Sequence, residues 1–206
     1  YPTALEQFEQ VGKKQHLVIG ALSAMKNREQ RDTIRQTWGS VSAKAQNNFM
    51  VVFMVASTKT EDWVDEMSQY SDLLVVNSPE LYNGNGEDSI LPIKSQAFFH
   101  MASSHIRSFD YVLKTDDDAF VHTSRLRKAL LDNSKKDNNY LGYVYENTKP
   151  LRDPDNKWYL SRNTYGSDYF PNYCPGGPGY IMSKSFVDCA VTKLPTLLPF
   201  MPMEDV

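Results

Sequence analysis

Cysteine is nearly missing: Cys174 and Cys189 are the only two among 206 residues. Two are too few for a disulfide framework or a zinc site. They leave three states open: a bond to each other, a bond to cysteines elsewhere, or reduced thiols in the core, the last being the default. No Asn-x-Ser/Thr sequon occurs, so nothing marks a glycosylated surface. Apolar runs are short. The longest, Phe49 to Ala56, falls well below the roughly 20 residues needed to span a bilayer, and residues 1–15 hold no signal-peptide core, so the chain as it stands is expected to be soluble. Positive charge is not in excess either. With 22 Lys and Arg against 25 Asp and Glu the net charge is −3, and no basic cluster is interleaved with aromatics, which argues against nucleic acid as a partner. Repeats, low-complexity tracts and linkers are also lacking, so residues 1–206 read as one domain with 1–15 as an N-terminal extension. The 41% hydrophobic and 12% aromatic residues are enough to build a proper core.

Periodicity supplies the architecture. Leu17 to Ser23 reads as a buried strand, followed by a polar helical stretch from Arg28 to Trp38 that Gly39 stops. Phe49 to Ala56 is a near-continuous apolar strand suited to a sheet covered on both faces. Glu61 to Tyr70 has helical spacing, Leu73 to Val76 repeats the strand, Leu91 to Ser108 is a helix with Pro92 near its start, and Tyr111 to Leu113 is a strand again. The second half is less regular, with a helix over Leu126 to Leu131, a strand over Tyr140 to Tyr145 and a loop-rich stretch from Lys149 to Pro178. Its aromatics Trp158, Tyr159, Tyr165, Tyr169, Phe170 and Tyr173 suit either a sugar subsite or a satellite core. Alternating strands and helices predict an α/β fold with a mainly parallel sheet flanked by helices, in which ligands gather at the carboxyl ends of the strands.

At one such end stand three consecutive carboxylates, Asp116, Asp117 and Asp118, between Tyr111-Val112-Leu113 and Phe120-Val121. If the segment is extended, Asp116 and Asp118 share a face with Cα atoms roughly 7 Å apart, while Asp117 points away. Like charges about 4 Å apart repel by on the order of 4 kcal/mol at an effective dielectric of about 20, so the cluster calls for a counter-charge. All-oxygen ligation favours Mg²⁺ or Mn²⁺, which are commonly held by one or two carboxylates plus substrate phosphates. The same triplet also suits a solvated turn between strands. Two rival motifs fail: a calcium loop starting at Asp116 would need Gly and Glu where Val121 and Arg127 stand, and an Asp-x-Asp-x-Thr phosphatase meets Phe120.

Taken in order, Arg28-x-x-Arg31-x-x-Ile34-Arg35-x-Thr37-Trp38, the acidic triplet after Lys114-Thr115, Tyr173-Cys174-x-Gly176-Gly177-x-Gly179-Tyr180 and Glu204-Asp205-Val206 resemble the β-1,3-galactosyltransferase and β-1,3-N-acetylglucosaminyltransferase family, glycosyltransferase family 31, over residues 17–206. Lys94, six residues after Asp88, resembles the lysine of that family's Asp-x-Tyr-x-Asn-Leu-Thr-Leu-Lys segment, although Ser89-Ile90-Leu91-Pro92-Ile93 departs from the pattern. The resemblance implies a GT-A fold, a UDP-sugar donor, Mn²⁺, inversion at the anomeric carbon and a glycan acceptor on a glycoprotein or glycolipid. It implies a luminal Golgi domain on an N-terminal membrane anchor, and a catalytic domain continuing past Val206 to a histidine metal ligand that none of His16, His100, His105 and His122 matches. Asp116 and Asp118 would hold the metal and Asp117 would contact ribose or metal-bound water. Asp88 and Lys94 would belong to the donor site, and Asp205, with Glu204 as fallback, would be the general base. Arg31 and Arg35, at i and i+4 on one helical face, either grip phosphate or form a solvated basic face. Gly176, Gly177 and Gly179 either let a ligand approach the backbone or make a structural turn. Two other functions remain: a catalytically silent relative acting as a binding or chaperone module, and a metal-dependent phosphohydrolase.

Overall fold

The computed structural model describes residues 15–81, 89–106, 108–132 and 138–197. Among them, strands β1 (Gln15–Leu22), β2 (Phe49–Ala56), β3 (Leu73–Val76), β4 (Phe109–Asp116), β5 (Tyr140–Gly142) and β6 (Tyr180–Ser183) form one sheet in the order β3-β2-β1-β4-β6-β5. β3, β2, β1 and β4 run parallel, whereas β6 is antiparallel to both β4 and β5. The helices are α1 (Arg28–Gln36), α2 (Val41–Asn47), α3 (Val64–Tyr70), α4 (Leu91–His105), α5 (Thr123–Asp132) and α6 (Lys184–Leu197). This is a mixed α/β architecture consistent with the expected GT-A-like fold. No helix among the described residues is long and apolar enough to cross a membrane.

Strand side chains alternate between two cores. Leu17, Ile19, Ala21, Val51, Phe53 and Val55 pack with Ile34, Trp38 and Met67 from α1, α3 and the segment after α1, while Val18, Leu22, Val52 and Met54 pack with Phe98, Met101 and Ala102 of α4. Burial on both faces explains why β2 is apolar at every position. Gly20 is required by this close packing: a Cβ there would stand 2.7 Å from the Phe98 ring, so only glycine lets α4 settle on β1.

Several boundaries differ from the periodicity. The expected helix to Ser108 ends at His105, and the expected strand Tyr140 to Tyr145 stops at Gly142, where its pairing with β6 ends opposite Tyr180. The expected helix over Glu61 to Tyr70 is one 3₁₀ turn (Thr60–Asp62) followed by α3, because Trp63 leaves helical geometry (φ −129°, ψ −15°) and packs against the core. β4 extends three polar residues past Leu113, since Lys114 pairs with Gly20 on one side and Tyr180 on the other. β6 and α6 follow directly upon the glycine-rich run and α2 follows Gly39; the periodic pattern had marked none of the three. Cys174 is buried as a core thiol, but Cys189 is exposed, and the two do not form a disulfide.

Candidate functional site

Parallel pairing in register, with Leu22 opposite Asp116, brings the ends of β1 and β4 to one edge. The triplet divides there. Asp116 is the last residue of β4, whereas Asp117 and Asp118 form a turn closed by the Ala119 N–H donating to the Asp116 carbonyl at 3.3 Å. The extended alternation expected for Asp116 and Asp118 is therefore corrected to a strand end followed by a turn. The Asp117 N–H donates to Leu22 O at 3.0 Å, and the Trp38 indole Nε1 donates to Ala119 O at 3.2 Å, so β1 and the Trp of the Arg-x-Thr-Trp segment both hold this turn.

Each carboxylate has a different setting. Asp116 Oδ1 lies 3.3 Å from the Nζ of Lys114, a side chain with no solvent exposure. Asp117 Oδ2 accepts from Asn27 Nδ2 at 2.9 Å. Asn27 occupies the N-cap of α1, but its side chain makes no capping hydrogen bond and instead directs its Nδ2 donor to Asp117. Asp118 is exposed, and no described residue bonds its carboxylate. A cleft of about 440 Å³ runs between α1 and the turn, lined by Thr33, Thr37, Trp38, Asp117, Asp118 and Phe120 among others.

The donor set is oxygen only, which fits a hard divalent ion and not zinc. Among the described residues no group of three or more His, Cys, Asp or Glu side chains could hold a metal. Asp116 and Asp118 would therefore need further oxygen ligands, and phosphate oxygens commonly supply them.

Arg31 and Arg35 require a correction. The Arg31 side chain is fully buried and all five of its N–H groups are engaged: Nε and Nη2 with the Glu66 carboxylate at 2.8 and 2.6 Å, Nη1 with Ser23 Oγ and Ala24 O at 2.9 and 2.6 Å, and Nη2 with Met25 O at 3.2 Å. Arg35 bonds Asp72 through Nε and Nη2 at 2.9 and 2.7 Å, Asp32 at 2.7 Å and Glu66 at 2.7 Å, with its guanidinium 3.9 Å above the Tyr70 ring. Neither arginine presents a free fork to phosphate, and neither lies on a solvated face. They join α1 to α3 and, through Ala24 and Met25, fix the loop after β1. Burial pushes the Glu66 carboxyl up, but the hydrogen bonds and charges of Arg31 and Arg35 outweigh it and hold the group below the usual carboxylate range.

Lys94 does arrive at the same edge. Its buried Nζ donates to Ser23 O at 2.9 Å and to Glu80, whose other oxygen accepts the Ala56 N–H at 3.1 Å. Asp88, Glu204 and Asp205 lie outside the described residues. Among the loop aromatics Phe170 is buried, with ring centroids 5.1 Å from Tyr165 and 6.0 Å from Tyr173, while Trp158 and Tyr169 are exposed. Asn27, Lys114, Glu66 and Asp72 were not singled out from the sequence. A lysine directly after the apolar run Tyr111-Val112-Leu113 was the available signal for Lys114; Asn27 offered none beyond an ordinary cap.

The family model described as galactosyltransferase matches residues 29–206. The chain is 28% identical over 198 residues to beta-1,3-galactosyltransferase 5 of Mus musculus, covering 94% of this chain and 62% of that protein. It is 28% identical over 211 residues to UDP-GlcNAc:betaGal beta-1,3-N-acetylglucosaminyltransferase 7 of Mus musculus, covering 100% of this chain and 53% of the relative. With beta-1,3-galactosyltransferase 2 of Homo sapiens it shares 29% over 186 residues, 86% of this chain and 42% of the relative. The chain thus spans about half the length of the curated relatives it matches.

Proposed function

Since the chain belongs to the β-1,3-galactosyltransferase and β-1,3-N-acetylglucosaminyltransferase family, we propose that its protein moves a hexose or N-acetylhexosamine from a UDP-sugar to a glycan hydroxyl, with inversion, forming a β-1,3 linkage. The acceptor oxygen attacks the anomeric carbon as the bond from that carbon to the diphosphate oxygen breaks. The electron pair leaves with UDP, and the hydroxyl proton passes to a carboxylate, for which Asp205 is the candidate. Asp116 and Asp118 hold Mn²⁺, which when bound offsets the negative charge developing on the departing diphosphate. Asp117, aimed by Asn27, contacts ribose or metal-bound water. Lys94 keeps the loop after β1 in place through Ser23 O, and Asp88 completes the donor side. The glycan is carried by a glycoprotein or glycolipid in the Golgi lumen, and an N-terminal anchor outside these residues ties the enzyme to the membrane.

The observation that carries this reading is the exposed carboxylate of Asp118, to which no described residue bonds, beside Asp116 at the end of β4, on the rim of the cleft. Calorimetry of UDP binding tests it. Affinity should rise at least tenfold in Mn²⁺ over EDTA, and Asp118→Asn should lose that gain with an unchanged melting temperature. Equal affinity in the two buffers refutes the metal role. In the intact protein, an Asp205→Asn variant that still transfers sugar shows that the base lies elsewhere.

A further inference from the structure

The three glycines between Cys174 and Tyr180 do not share one purpose. Gly179 is conformational: its φ is +91°, and a Cβ would stand 3.2 Å from both Leu113 Cδ1 and Lys114 O. Gly177 is under neither constraint. Its φ lies outside the left-handed region, and the one heavy atom near a Cβ at this position is Asp116 Oδ2, at 3.6 Å. That distance is ordinary van der Waals contact, so the fold itself accommodates a methyl group here. The other oxygen of the same carboxylate, Oδ1, is already held by the buried Lys114 ammonium. No described residue bonds Oδ2, which leaves it for an external partner, and the space beside it is what a side chain at 177 would fill.

We infer that Gly177 is a positioning residue of the donor site, kept without a side chain so that Asp116 Oδ2 stays open to a divalent cation and the diphosphate it carries. The inference rests on the proposed function and deepens it. A cation at an oxygen needs room for its remaining ligands, which a hard ion draws from water and phosphate. A methyl group resting on that oxygen takes part of this room and offers no ligand in return.

Gly177→Ala separates this role from a merely structural one. Replacing glycine where the backbone accepts alanine leaves the melting temperature at or above the parent's. Free Mn²⁺ is then read by electron paramagnetic resonance during titration of the intact protein with and without UDP, and UDP binding is measured by calorimetry in Mn²⁺ and in EDTA. Changes beside a metal ligand commonly weaken metal binding by about 10- to 100-fold, and a loss of that order in Mn²⁺-dependent UDP affinity, with the EDTA value unmoved, is the expected result. Parent-like Mn²⁺ and UDP affinity in Gly177→Ala overturns the inference while leaving the proposed function intact. An equal loss in both buffers, or a melting temperature several degrees lower, overturns it in favour of a direct contact or a packing role. A parent protein whose UDP affinity ignores Mn²⁺ overturns the proposed function and this inference together.

Discussion

Arg31→Lys keeps the charge and removes the fork, so it tells a structural arginine from one that binds phosphate. The guanidinium makes five hydrogen bonds in a fully buried setting: two to Glu66, one to Ser23 Oγ and two to the Ala24 and Met25 carbonyls. A lysine has three donors on one nitrogen, so at least two of the five acceptors lose their partner. Hydrogen bonds to charged groups contribute about 1.5–3 kcal/mol each, so losing two of them is expected to cost about 3–5 kcal/mol. Set against a typical total of about 5–15 kcal/mol that is a large fraction. In a domain of this size it corresponds to a melting temperature lower by about 6–20 °C. Urea unfolding followed by circular dichroism gives the free energy, and calorimetry at a temperature where the variant is folded gives its UDP affinity. A loss below about 1 kcal/mol, or a stable variant that binds UDP tenfold more weakly than the parent, would refute the structural assignment and restore phosphate binding.

Trp38→Phe removes the indole donor from Ala119 O and should cost about 1 kcal/mol by urea unfolding. It should also weaken Mn²⁺-dependent UDP binding several-fold, since the turn that carries Asp118 loses a tether; unchanged binding would mean the turn is held without it. The Glu66 carboxyl sits below its ordinary value near 4.5 in the folded protein. Its contribution to stability is therefore complete above that value and is lost as pH falls through the lower folded value. The urea midpoint should hold from pH 7 to about 5 and drop below about 4.5. Glu66→Gln should start lower at neutral pH and drop less steeply, and parallel curves would exclude Glu66 as a main cause.

Much of the frame was legible in the chain because single strands and helices carry their own period. Phe49 to Ala56 is apolar at every position and became the strand it looked like, and Leu73 to Val76 did the same. The acidic triplet after an apolar run was also visible as a strand end. The roles of the arginines were not. Arg31 and Arg35 are charges on one helical face, and nothing within α1 shows that Glu66 and Asp72, more than thirty residues away, will stand opposite them. That meeting depends on parallel strands returning α3 to the same side of the sheet as α1. Likewise Gly177 is sixty-one positions from Asp116, and only the antiparallel pairing of β6 with β4 brings the two together. The amino-acid order by itself determined the strands and helices whose apolar residues carry a clear period, and where carboxylates cluster, because those follow from local spacing and side-chain type. Which charges are neutralised and which carboxylate oxygen remains open was decided only by tertiary structure, because electrostatic and steric partners are set by distance in space.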